Sequence, residues 1–303
     1  MSTTPGAGAA PMIPMGPMPP RSPGIEPLLT ALQVQVDALQ AREPELRASR
    51  DPEDLRRMRV AVRRLRATLR ASRPLFGRSA VDRLRDELGW LGTALGRVRD
   101  LDMVAGSVAA ELGALEGSTR RESRALLRRL DADRDRAWDR LHVVLDGARY
   151  ARLLRRLKML PGRAPRGAAD ISLGAAAAAE WKTLRRAVKH LPGHPSAAEL
   201  HEIRIRVKRS RYAAELARAA GGRRAEKFID QAKAIQDILG EHQDAVVIEE
   251  YLHDVIDRRE AAHALEEQLV RRLRKRRKKT RAAFVHEWPR LARRGRKAWA
   301  TTA

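Results

Sequence analysis

Apolar residues recur along this chain every three or four positions, the period of a helix with one buried face. Leu28, Leu29, Leu32, Val36 and Leu39 begin the pattern, and Leu84, Leu88, Leu91 and Leu95 carry it on. No stretch alternates with period two and β-branched residues are sparse, so the fold class is all-α. Start and stop signals divide the pattern into elements. Asp51-Pro52 gives a cap and a first-turn proline to a helix over 51–72, which Arg73-Pro74 and the Phe76-Gly77 turn bring to an end. Helices over 79–96 and from Asp100 or Asp102 to 115 follow, separated by a break from Gly96 to Asp100. A long charged helix over 118–146 holds Leu126, Leu127, Leu130 and Trp138, and a shorter basic one covers 148–160. The scheme then resumes with a helix expected over 174–191 and a His194-Pro195 turn. Helices over 196–216, 223–239, 244–257 and 259–287 follow, with a break at Gly240.

Two segments stand outside the helical period. Residues 1–25 contain seven prolines and four methionines with hardly any charge, and are expected to be a disordered, dispensable leader. The Pro/Gly-rich stretch 161–173 reads as a linker between two helical halves, 26–160 and 174–300.

The polar positions hold more information than the apolar ones. On the helix over 51–72, Arg56, Arg59, Arg63, Arg66 and Arg70 fall in one stripe beside an apolar band of Met58, Val62, Leu65 and Leu69. Like charges spaced by four residues repel, so such a ladder implies an anion facing it. The chain then writes the stretch twice. Residues 196–216, headed by a Ser196/Glu199 capping box, align so that Arg204 falls on Arg59, Lys208 on Arg63, Arg209 on Arg64 and Arg211 on Arg66. Downstream, LGRVRDLDMV at 95–104 matches LGEHQDAVVI at 239–248. Two motifs in the same order at nearly the same spacing indicate an internal duplication. A helical duplication of this size is expected to pack as two four-helix bundles related by a pseudo-twofold axis.

Composition sharpens this picture. A net charge of +24 over 303 residues calls for a polyanionic partner: nucleic acid, an anionic membrane surface or polyphosphate. The absence of cysteine removes disulfides, thiolate catalysis and Cys-based zinc sites, and fits a reducing cytoplasm. There is no run of 18 apolar residues to span a membrane. The sequence contains no Walker loop, GxSxG or HExxH, and no second ligand at metal spacing from His201. The chain therefore reads as a binding protein, not an enzyme, with no cofactor and no metal.

The strings R-x3-RR-x-R at 59–66 and H-x2-R-x3-KR-x-RY at 201–212, each followed downstream by LG-x3-D, resemble the CHAD family, helical domains that bind inorganic polyphosphate. The resemblance covers roughly residues 26–300 and implies the same two-bundle arrangement. It also implies polyphosphate binding by Arg59, Arg63, Arg66 and Arg70 on one helix and by His201, Arg204, Lys208 and Arg211 on the other. The family places a histidine three residues before the first arginine of each motif. His201 fits, whereas the first copy has Arg56 there, itself a donor. The expected setting is the cytoplasm, in association with polyphosphate granules, as a monomer or homodimer. A triphosphate-hydrolysing β-tunnel with an ExExK strand is often joined to this family. The nearest string, Glu43, Glu45 and Arg47, lies in a helical pattern.

Other positions keep two readings. Arg64 and Arg209 lie off the stripe, and either contact the anion from another surface or pair with acids. Asp100 and Asp244 match across the repeat, as N-caps after a glycine break or as carboxylates that orient a ladder arginine. Tyr212 either packs or donates to phosphate. The run 271–281, nine cations in eleven residues, is a polyanion or nucleic-acid segment or a solvated helix end. Nucleic acid remains the alternative ligand, although only 4% of residues are aromatic and no stacking platform alternates with the arginines.

Overall fold

The computed structural model describes residues 25–113, 120–164, 171–256 and 263–299. The expectations for residues 1–24, and for 165–170 of the linker, lie outside the described residues. Ile25, assigned above to the leader, is instead the buried first residue of a helix.

Ten α-helices and one 3-10 turn make up the described residues, with no strand among them. Helix α1, Ile25–Ser49, is joined by a turn at Arg50 (φ 51°) to α2, Pro52–Ala71. The predicted cap is present: the Asp51 carboxylate accepts from Glu53 N–H at 2.8 Å. A single turn, α3 (Arg73–Phe76), and Gly77 at φ 79° redirect the chain into α4, Arg78–Gly113. Helices α5 (Arg120–Asp146) and α6 (Ala148–Met159) follow, and then a 3-10 turn, Pro161–Arg163. The second series is α7 (Leu173–Lys189), α8 (Ala197–Leu216), α9 (Arg218–Ile256) and α10 (His263–Trp299). Both partners of the predicted capping box at Ser196 and Glu199 are in place. No described helix is long and apolar enough to cross a membrane.

Three expected boundaries differ. The chain does not break at Gly96 or Gly240. Helix α4 runs through the first and α9 through the second. A glycine inside a helix costs about 1 kcal/mol, and the apolar stripe on either side outweighs it. Leu91, Leu95, Val98, Leu101 and Val104 are all buried around Gly96, as are Ile235, Leu239 and Ala245 around Gly240. Asp100 and Asp244 are therefore mid-helix residues and cap nothing. Helix α10 also continues past 287 to Trp299, with Pro289 inside it. The 271–281 run thus lies in mid-helix, with Leu273 and Thr280 buried.

The described residues form four apolar clusters, the smallest of them around Ile25, Leu28, Leu75 and Ile171. One, built on Leu32, Met58, Leu91, Trp138 and Leu153, joins α1, α2, α4, α5 and α6. Another, built on Trp181, Ile203, Phe228 and Leu291, joins α7 to α10. The third, with Val104, Leu130, Ile248 and Leu269, is shared by the distal parts of α4, α5, α9 and α10. Because α2 buries Leu55, Met58, Val62, Leu65 and Leu69 in the first cluster, its arginine stripe is left to face α8.

Candidate anion-binding groove

Helices α2 and α8 meet with their basic stripes toward each other, and α4 closes the third side. Between them lies a cavity of about 530 Å³. From α2 it receives Arg59, Arg63, Arg66 and Arg70, and from α8 it receives His201, Arg204, Lys208, Arg209 and Tyr212. Helix α4 adds Arg85 and a smooth wall of Gly89, Gly92 and Thr93. Among the described residues, no carboxylate lines the space.

The two stripes do not enter the cavity in register. On α2 the lining runs from Arg59 to Arg70. On α8 it runs from His201 to Tyr212, about one turn nearer the N-terminus than the aligned positions 204–215. This offset explains which predicted residues belong. His201 lines the groove while its counterpart Arg56 does not: Arg56 is exposed and its Nε donates to Glu53 at 2.6 Å. Likewise Arg66 lines the groove and its counterpart Arg211 turns away. Arg211 Nε donates to Gln236 at 3.0 Å, its Nη1 pairs with Glu215, and its guanidinium stacks 4.4 Å from the Tyr212 ring centroid.

The off-stripe arginines part company too. Arg209 reaches the groove. Arg64 faces a smaller cavity beside α1, with Glu215 at 3.9 Å. The 271–281 run contributes nothing to the groove. Its Arg274 and Arg277 pair with Glu249 of α9. Glu43 accepts from Tyr150 and Arg47, a structural role between α1 and α6.

Three arginines at the edge of the groove are neutralised. Arg70 Nε lies 2.6 Å from Glu180, Arg85 Nη1 lies 2.8 Å from Asp82, and Arg99 bridges Asp100 at 3.2 Å and Asp244 at 2.9 Å. Asp100 and Asp244 thus hold a third arginine, not one of the ladder, and lend only long-range attraction to Arg59 and Arg204. The groove centre is different. Among the described residues, Arg59, Arg63, Arg66, Arg204 and Lys208 pair with no carboxylate. Arg59 reaches only the Leu95 and Gly96 carbonyls at 3.4 Å, and Arg63 Nε donates to the Tyr212 hydroxyl at 3.4 Å. Arg204 Nε is buried without a partner among the described residues.

Such crowding leaves a mark on acid–base behaviour. Burial, with Arg99, Arg63 and Arg204 nearby, lowers Arg59 to about 10, so it keeps its charge in neutral solution. Burial likewise lowers Arg204, although Asp244 opposes the shift. Lys208 is affected most. Burial first, then Arg204, Arg63, Arg59 and Arg99, push its ammonium down to about 6. His201 is held by Gln243, 2.7 Å from its Nδ1. If the Gln243 carbonyl accepts there, Nε2 faces the groove and donates only when the ring is protonated.

Sequence reasoning missed the α4 wall and Arg85. The available signal was the spacing Gly89, Gly92, Gly96, a helical face of glycines where nothing needs close packing. A Cβ at Gly89 or Gly92 would make only ordinary contacts, at 3.7 Å and 3.6 Å, and one at Gly96 none.

Known proteins share this architecture. PptA from Streptomyces chartreusis superimposes with a TM-score of 0.73 at 21% identity, over 88% of this chain and 100% of its own. The CHAD domain from the plant Ricinus communis gives 0.71 at 25% identity, over 94% of this chain and 97% of its own. In sequence, the uncharacterized proteins MT2285 and Rv2226 of Mycobacterium tuberculosis, strains CDC 1551 / Oshkosh and ATCC 25618 / H37Rv, are each 34% identical over 259 residues, or 82% of this chain. The match takes in 48% of each, so the chain spans about half the length of these curated relatives. The model of the CHAD domain family matches residues 30–253. The chain belongs to the CHAD family.

Proposed function

We propose that the groove binds inorganic polyphosphate and does not turn it over. The observation that carries this reading is the convergence of Arg59, Arg63, Arg66 and Arg204 around Lys208 on one cavity, with no carboxylate among the described residues that line it. Repelling cations held together by packing cost folding free energy, and an anion entering between them recovers it. Guanidiniums match phosphate oxygens in a planar, two-pronged way. A chain of phosphates has no bases to read, so a wall of glycines opposite the donors suffices to accommodate it. Absence of turnover is supported by the lining itself, which offers no carboxylate to carry a divalent cation.

We read the chain as two diverged copies, 26–160 and 174–300, packed as bundles about a pseudo-twofold axis. Two of the apolar clusters, each built from one half of the chain, support this reading. The copies differ in which turn of the basic helix addresses the ligand. On this account the protein works in the cytoplasm, at polyphosphate granules.

Nucleic acid fits the groove less well. Among the described residues, Tyr212 is the one Phe, Tyr or Trp in the lining, and at 6% exposure its ring offers no platform for a base. Competition at physiological salt tests the proposal. Long-chain polyphosphate is expected to displace duplex DNA at far lower phosphate concentration than the reverse. Equal competition, phosphate for phosphate, would mark the protein as an unselective polycation.

A further inference from the structure

Lys208 lies in the groove with cations on three sides: Arg204 on its own helix, Arg63 and Arg59 on α2, and Arg99 on α4. The carboxylates nearby are engaged elsewhere. Asp100 and Asp244 are bound to Arg99, and Glu180 to Arg70. Its side chain is part-buried and lines the cavity. Lys182 and Lys233, by contrast, are exposed and lie outside the groove.

We propose that Lys208 is a modification site, acylated selectively by small acyl phosphates whose phosphate group docks on the arginines that surround the amine. The inference rests on the reading of the groove as a phosphate-binding site.

An amine is a nucleophile only when unprotonated, and a lysine beside other cations is activated in this way. Burial and the neighbouring guanidiniums, which bring Lys208 down to about 6, leave it largely neutral at neutral pH. Relative to an ordinary lysine, its unprotonated fraction near pH 7.5 is about 10³-fold larger. Lower basicity takes back roughly 10²-fold in nucleophilicity if the slope known for thiols applies. The net gain is roughly tenfold, and holding the reagent in place adds to it.

The chemistry balances without an oxidant or a metal. The Lys208 Nζ lone pair attacks the acyl carbon and the C–O bond to phosphorus breaks. The phosphate leaves with that electron pair and takes up the proton the nitrogen releases. The products are an amide and hydrogen phosphate. The amide can no longer become a cation and fills part of the cavity, so acylation closes the groove to polyphosphate.

The test uses the intact protein, acetyl phosphate as the reagent, and site-resolved mass spectrometry of acetylation rates near neutral pH. Lys208 is expected to react at least about tenfold faster than Lys182 and Lys233. With an uncharged N-hydroxysuccinimide ester that preference should shrink, because no phosphate docks. Equal rates at the three lysines with acetyl phosphate overturn the proposal. A preference of the same size with both reagents overturns the docking step. A parallel arm adds excess long-chain polyphosphate. Protection of Lys208 supports both readings. Preferential acylation without protection supports the inference while removing the polyphosphate assignment.

Discussion

Replacing Lys208 by methionine should make the protein more stable and remove part of its pH dependence. An unfolded lysine titrates at 10.5, whereas in the groove, burial and then Arg204, Arg63, Arg59 and Arg99 lower the value to about 6. Between those two values the unfolded chain binds the extra proton, so native stability rises with pH. The destabilisation is complete below about pH 6 and disappears above about 10.5. Each pH unit inside that window is worth at most about 1.36 kcal/mol, or about 2.7 kcal/mol from pH 7 to pH 9. Water in an open groove and added salt screen the effect, so about 1–2 kcal/mol of the variant's advantage should disappear between pH 7 and pH 9. At roughly 2–4 °C per kcal/mol for chains of similar size, this amounts to several degrees. The assay is denaturant unfolding of the wild type and of Lys208→Met at intervals between about pH 7 and pH 9 at low salt, with methionine chosen to keep the volume. The variant should be the more stable at pH 7, and the difference should narrow toward pH 9. Parallel pH profiles for the two proteins would refute a depressed Lys208.

The remaining predictions concern the shape of the site. Arg66 and Arg211 align in the repeat, yet only Arg66 lines the groove. Arg66→Gln should weaken polyphosphate binding without lowering the melting temperature, since it removes a buried cation from a crowded site. Arg211→Gln should leave affinity near wild type and cost about 1–3 kcal/mol of stability, by leaving Glu215 with only its longer contact to Arg64. Equal affinity losses would show that the one-turn offset is wrong. On the glycine wall, Gly89→Ala and Gly92→Ala should each raise stability by about 0.5–1 kcal/mol. Gly89→Leu should keep the melting temperature and lower polyphosphate affinity, both readable by thermal melts and titration. Undiminished affinity in that variant would mean the ligand does not lie against α4.

Much of this fold is legible in the sequence alone. The caps at Asp51 and Ser196 are set by residues within three positions of the helix start, so local chemistry determines them. The arginine stripe on α2 can be read from periodicity because its apolar neighbours, Met58 to Leu69, fix which way the helix faces. What cannot be read depends on contacts between helices. Gly96 and Gly240 look like breaks when only propensity is weighed, and tertiary burial on both sides keeps the helices continuous. Alignment of the two motifs equates Arg66 with Arg211 and Arg56 with His201. The offset with which α8 meets α2 decides that one member of each pair enters the groove. The link from Asp244 to Arg99 spans elements far apart in sequence, and neither motif predicts it.

The central claim is that position, and not total charge, governs polyanion binding. The most direct measurement compares affinity for long-chain polyphosphate, at about 0.15 M salt, between two doubly neutralised variants. One is Arg63→Gln with Arg66→Gln, both in the groove. The other is Lys275→Gln with Arg276→Gln, both exposed on α10 and outside it. Charged hydrogen bonds are worth about 1.5–3 kcal/mol each, so the groove pair should lose at least about tenfold in affinity. The α10 pair should lose no more than about twofold, the share owed to overall charge. An equal loss in both variants would contradict the groove as the binding site.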